Sequence, residues 1–163
     1  MAEGRHADAV PKLTQLVHEM PDNFNIWFAL GSCQYRARNF GDAVACFSRC
    51  AALLPENHVA FFYRGVSCLK QGRYVEAERD FTWCLERLPE QTTSLLNRAL
   101  ARAELQRHRE ALDDLTLAIQ RGRHDALVYL LRSRLWSRLG DQESARRDLA
   151  QALQRDPVSE EGW

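Results

Sequence analysis

The chain has 163 residues, 45% hydrophobic and 27% charged, with 22 basic and 22 acidic side chains. That length allows one domain with a buried core, and the balanced charge leaves no field to draw nucleic acid or an anionic membrane. No apolar run approaches the roughly 20 residues of a membrane span, residues 1–5 lack the basic and apolar regions of a signal peptide, and the five scattered cysteines do not resemble a disulfide framework. A reducing cytoplasm is the expected compartment.

Laid on itself, the chain repeats with a step of 34 residues. Residues 1–23 read as the second helix of a preceding pair, with Gly4 at its turn. Ala9, Leu13, Leu16 and Pro21 there stand one step before Ala43, Phe47, Cys50 and Pro55. Unit 24–57 carries Trp27, Leu30 and Gly31 on a first helix, a turn near Asn39, then Ala43 and Phe47 on a second helix ending at Pro55. Unit 58–91 follows with Phe61, Gly65, a turn at Gly72, Ala77, Phe81 and Pro89. Unit 92–125 has Leu95, Ala99, a turn near Arg107, Ala111 and Leu115, but Arg123 where a proline would fall. Unit 126–159 has Tyr129, Ser133, Gly140, Ala145, Leu149 and Pro157. In residues 160–163, Trp163 takes the position of Trp27, Phe61, Leu95 and Tyr129 and marks the start of a further first helix.

Each unit holds two amphipathic segments with apolar positions three and four apart. Small residues midway along each first helix (Gly31, Gly65, Ala99, Ser133) and early in each second (Ala43, Ala77, Ala111, Ala145) let the two helices approach closely. The bulky residue four positions on fills the remaining gap. Proline cannot continue a helix and ends the second one. One such pair cannot bury its own apolar face, so neighbouring pairs must stack.

A 34-residue unit reading Trp-x2-Leu-Gly, then Ala-x3-Phe, then Pro resembles the tetratricopeptide repeat, and Trp27, Leu30, Gly31, Ala43, Phe47 and Pro55 are its best copy here. The resemblance covers essentially the whole chain. It implies an all-α fold, a right-handed α-solenoid of antiparallel helix pairs, with residues 1–163 as a single domain. It also implies a role in binding other proteins, with no catalytic centre. No polar capping helix closes the series, which suggests a fragment of a longer array. The unit pattern is similar to arrays attached to bacterial signalling enzymes, including serine/threonine kinases.

Two sets of charges recur with the step. Arg64, Arg98 and Arg132 share one position, and Asp80, Asp114 and Asp148 share another, 16 residues later. In the first unit those positions hold Leu30 and Cys46. Arg and Asp therefore appear together and vanish together, which an Arg–carboxylate pair between the two helices of one unit explains. Each Arg brings its own acid, so a phosphate-binding ladder is the weaker reading.

Cys46 and Cys50 are four apart and could place two thiolates on a metal. Yet Cys50 and Cys84 stand where Ala118 and Ala152 stand, and Cys33 and Cys68 fall at inward positions, so the cysteines read as small packing residues. The five histidines are scattered, and no Gly-x-Ser-x-Gly, His-Glu-x-x-His or glycine-rich phosphate loop is present. No catalytic, metal-binding or cofactor-binding residue is assigned.

In the family the concave face is lined mainly by first helices. That register places Phe28, Phe62, Tyr63, Val66, Leu96, Asn97, Leu100 and Arg134 as the partner-binding residues, in a groove more apolar than polar. Family members that clamp the acidic C-terminus of chaperones use Lys, Asn and Arg at five positions. Here those positions are Phe28, Ser32, Tyr63, Thr93 and Asn97, or one unit later Phe62, Val66, Asn97, Leu127 and Leu131, so the clamp is missing. The expected partner is a protein or peptide, with no nucleic acid and no membrane. The alternatives are self-association through exposed array ends and a regulatory array of a larger enzyme such as a serine/threonine kinase.

Overall fold

The structure, a computed structural model, describes residues 3–155, with side chains from Ala9 onward. These residues form helices and no strand: α1 (Glu3–Glu19), α2 (Phe24–Arg36), α3 (Phe40–Leu53), α4 (His58–Lys70), α5 (Tyr74–Arg87), α6 (Thr92–Glu104), α7 (His108–Gln120), α8 (Ala126–Arg138) and α9 (Gln142–Arg155). They group into two compact units that divide between Pro89 and Glu90. In the first unit α1 to α5 pack in chain order, each on the next, and in the second unit α6 to α9 do the same. Pro157, Trp163 and the helix start expected at 160–163 lie outside the described residues.

The repeat step reappears in the helix ends. Asn23 Oδ1 accepts the Asn25 and Ile26 amides at 3.0 and 3.3 Å. One step on, Asn57 Oδ1 accepts those of Val59 and Ala60 at 3.0 and 3.4 Å. Asp125 caps α8 through the Val128 amide at 3.1 Å. These side chains serve N–H groups that have no partner within the helix. Gln91, at the same position before α6, makes no such bond to the backbone, and its side chain accepts the Ser94 hydroxyl instead.

Within each pair the chain turns through one left-handed residue, always at the same position: Arg38 (φ 63°), Gly72 (79°), Gln106 (62°) and Gly140 (88°). The following amide bonds back five residues, as in Asn39 N to Gln34 O at 2.9 Å and Asp141 N to Trp136 O at 3.0 Å. This is Schellman closure of the helix end. Gly4 departs from the pattern. It lies inside α1, which begins at Glu3, so the turn expected there is absent. A single glycine costs a helix only about 1 kcal/mol, and its neighbours Glu3, Arg5 and Ala7 all tolerate helix.

The core of each pair sits where its two helices come closest. A Cβ on Gly31 would stand 2.9 Å from the Phe47 ring, and one on Gly65 would stand 3.0 Å from that of Phe81. Both rings are fully buried. The third pair keeps the sum of volumes by exchange, Ala99 against Leu115, with both buried. In the fourth, the Ser133 hydroxyl donates to Ala145 O at 2.7 Å. Leu149 holds the position of Phe47 but is 42% exposed; among the described residues α9 packs mainly on α8.

Beside this contact lie the charged pairs. Arg64 grips Asp80 through Nε and Nη2 at 2.9 and 2.6 Å. Arg98 grips Asp114 at 3.0 and 2.7 Å, and Arg132 grips Asp148 at 2.7 Å through both nitrogens. Arg102 Nη1 adds a third donor to Asp114 at 2.8 Å. All three carboxylates are buried. Burial pushes the Asp80 carboxyl above its ordinary value, against the pull of the Arg64 hydrogen bonds. Asp80 in turn holds the Arg64 guanidinium above its own ordinary value. In the first helix pair, α2 with α3, Leu30 and Cys46 fill the corresponding places as part of an apolar cluster with Val17.

Two stability measurements follow. Asp114→Ala takes from Arg98 and Arg102 the carboxylate they share, and is expected to lower unfolding free energy by about 3 kcal/mol. Replacing Arg98 and Asp114 together by Leu and Cys, the residues of the α2–α3 pair, is expected to cost clearly less in the same denaturant titration. Gln106→Gly relieves a left-handed residue and is expected to stabilise by about 1 kcal/mol, whereas Gly72→Ala destabilises by about the same amount. Space around Gly72 is open, its nearest atom being Tyr74 Oη at 3.9 Å, so that second effect isolates the backbone.

Candidate functional site

The residues assigned from sequence to partner binding divide between the two units, and each set is built separately. In the first unit Phe28 on α2 and Phe62, Tyr63 and Val66 on α4 are half-buried or exposed. The helical spacing brings their rings into a continuous row. Phe24 stacks on Phe28 with centroids 5.8 Å apart, Phe28 meets Tyr63 edge-on at 5.3 Å, and Tyr63 meets Phe62 edge-on at 5.5 Å. Phe47 and Phe81, from the second helices, form the floor at 5.6 Å from Tyr63 and 5.9 Å from Phe62. Inward ring faces hold the pairs together. Tyr63 is 38% exposed, and Phe28 and Phe62 are half-buried.

In the second unit the assigned residues part company. Leu96 is only 5% exposed, so it belongs to the core and offers little to a partner. It occupies the position of Phe28 and Phe62, and the shorter side chain stays inside. Asn97 Nδ2 donates to Thr93 O at 2.9 Å, which ties one end of the amide to its own helix. Leu100 and Arg134, by contrast, line a common pocket between α6 and α8, with Leu115 of α7 beneath them. Leu131, Leu135 and Arg138 complete its α8 wall. None of these three was assigned to partner binding from sequence, although one signal was available: Ala103 stands in the register row of Tyr35 and Leu69, and a small residue there leaves a gap.

Four thiols, those of Cys46, Cys50, Cys68 and Cys84, are buried, and Cys33 is half-buried. The Cys50 and Cys84 Sγ atoms point at the carbonyls of Phe24 and His58 at 3.7 and 3.5 Å, one repeat step apart. Burial raises the Cys46 and Cys68 thiols to about 11 and those of Cys50 and Cys84 to about 12. Among the described residues no group of three or more His, Cys, Asp or Glu side chains is placed to hold a metal ion, and no helix is long and apolar enough to cross a membrane.

Family models described as tetratricopeptide repeat match residues 1–60 and 68–126. Among solved structures, MamA of Desulfovibrio magneticus RS-1 superposes with a TM-score of 0.89 at 14% identity, over 96% of this chain and 89% of that one. A structure titled MamA MSR-1 gives 0.84 at 20% identity, over 96% and 90%. One titled MamA AMB-1 gives 0.86 at 19%, over 96% and 92%. At these identities the likeness is one of fold. No curated protein matches the sequence.

The thiol environments predict selective labelling. Near pH 8 a thiol raised to about 11 is less than about one-hundredth thiolate, and the thiolate is the reacting species. A disulfide reagent is therefore expected to modify Cys33 first and the other four only on unfolding. Rapid reaction of two or more thiols in the native protein would contradict this.

Proposed function

This chain belongs to the tetratricopeptide repeat family and is a protein–protein interaction scaffold, and we propose that it holds an extended or helical segment of a partner against its first helices. The observation that carries this is the aromatic row Phe28–Tyr63–Phe62, in which Tyr63 is exposed and Phe28 and Phe62 are only half-buried. Val66 extends that surface in the first unit. In the second, Leu100 and Arg134 supply an apolar wall and a charge, and Asn97 Oδ1 is available to orient a backbone amide. Leu96 supports the surface from beneath.

Grooves of this kind use apolar anchors, each contributing about 25 cal/mol per Å² buried. The residues at the clamp positions are aromatic or neutral, so a free C-terminal carboxylate finds no matching cations there. The role needs no catalytic group and no cofactor. Buried, unpaired thiols suit a reducing compartment such as the cytoplasm.

A second reading has its own support. Leu149 and Leu153 lie one turn apart on α9 and are 42% and 53% exposed. An apolar strip of that kind favours association with another copy of the chain through this end.

A peptide-array screen tests the main reading. Segments with aromatic or branched apolar anchors are expected to bind, and Phe62→Ala is expected to weaken them roughly tenfold. Binding restricted to acidic C-termini and indifferent to Phe62→Ala would refute it. Sedimentation tests the second: Leu149→Glu with Leu153→Glu is expected to abolish any concentration-dependent dimer.

A further inference from the structure

The pocket of the second unit has a mouth whose charges the fold does not use. Its interior is aliphatic, with Leu100 and Ala103 on α6, Leu131 and Leu135 on α8, and the buried Leu115 below. Arg134 and Arg138 stand at the rim on α8, and Glu104 stands opposite on α6. Arg134 and Arg138 are one helical turn apart and so project from the same face. Both are exposed, and neither has a carboxylate partner among the described residues. Most other guanidiniums of this unit are paired: Arg98 and Arg102 with Asp114, Arg107 with Glu110, Arg121 with Glu90, Arg123 with Asp125, Arg132 with Asp148 and Arg147 with Glu143. Arg109 and Arg146 are exposed without an ion pair as well, but they do not line this pocket. Two uncommitted cations beside an apolar recess therefore form a charge pattern that folding does not require.

We propose that this pocket reads a two-part signal in a partner segment: one branched aliphatic side chain inserted between α6 and α8, and one carboxylate side chain a helical turn away, held by Arg134 and Arg138. The proposal rests on the reading that first helices hold a partner segment, and it specifies what the second unit selects. Glu104 sets the polarity. A carboxylate directed toward α6 is repelled and one directed toward α8 is attracted, which fixes the direction in which the segment lies. In this proposal the recess takes one aliphatic side chain, and the two guanidiniums, one helical turn apart, share one carboxylate. Such half-solvated pairs supply selectivity more than strength and weaken with salt.

The test uses the full chain and a capped, helix-forming host peptide carrying one Leu and, four residues later, one Glu, followed by methyl NMR. The peptide is expected to shift the Leu131 and Leu135 methyls. Changing its Glu to Gln is expected to weaken binding about tenfold, and changing its Leu to Ala by at least about as much. In Arg134→Gln/Arg138→Gln, whose altered side chains are exposed and leave the core intact, the Glu-over-Gln preference is expected to vanish while the Leu preference stays. Arg138→Glu is expected to favour a host peptide with Lys in place of Glu. Shifts confined to residues around Phe62 and Tyr63 would overturn the pocket assignment while leaving the wider groove reading intact. A Glu preference that survives the double variant would do the same. Failure of the host peptide to shift any methyl overturns the pocket, and the array screen then decides the groove separately.

Discussion

The structure depends on how closely the two helices of a pair can approach. Where Gly31 meets Phe47 and Gly65 meets Phe81, no Cβ fits between backbone and ring without displacement. A ring buried against bare backbone is held on every side, and dispersion contacts of that density are lost steeply with a small gap. The approach fixes the crossing of each pair. It thereby fixes which side of every first helix faces outward. Where the glycine becomes Ala99, the partner shrinks to Leu115. The combined volume is kept within the chain while the residues are not.

Around this contact the fold solves one problem in two ways. Each pair must fill a position beside the close approach. Three pairs place a bidentate arginine–aspartate bridge there, and the first places Leu30 against Cys46. Both solutions satisfy a buried site only as complete sets, since a lone buried carboxylate or a lone guanidinium would be costly. That is why the two residues change together. The arginines also reach aromatic neighbours, Arg64 lying 4.9 Å above the Phe61 ring.

The same packing separates residues left at the surface from residues that build the core. In the first unit the rings at the Phe28 and Phe62 positions stay half-buried. Leu96 at that position sinks, and the second unit presents a recess with charged edges instead. A single register position thus yields an aromatic surface in one unit and a core residue in the other. The scaffold role belongs to the family, and the chemistry of each unit's surface belongs to these particular side chains.

The sequence alone determined the 34-residue step, and with it the all-α class, the helix pairs, the turns and the Arg–Asp register. All of these follow from contacts within one pair, which any copy of the repeat reports. The tertiary structure decided what depends on neighbours of a pair. It placed Gly4 inside α1, buried Leu96 and left Leu149 open. It assigned a left-handed backbone to Arg38 and Gln106, a strain the residue types do not announce. Above all it brought Leu100, Leu131, Leu135, Arg134 and Arg138 to one pocket from helices more than one turn of the chain apart. Periodicity compares a residue with its own counterparts. A recess arises from the difference between them, here Ala103 against Leu69 and Tyr35, and only packed side chains turn that difference into space.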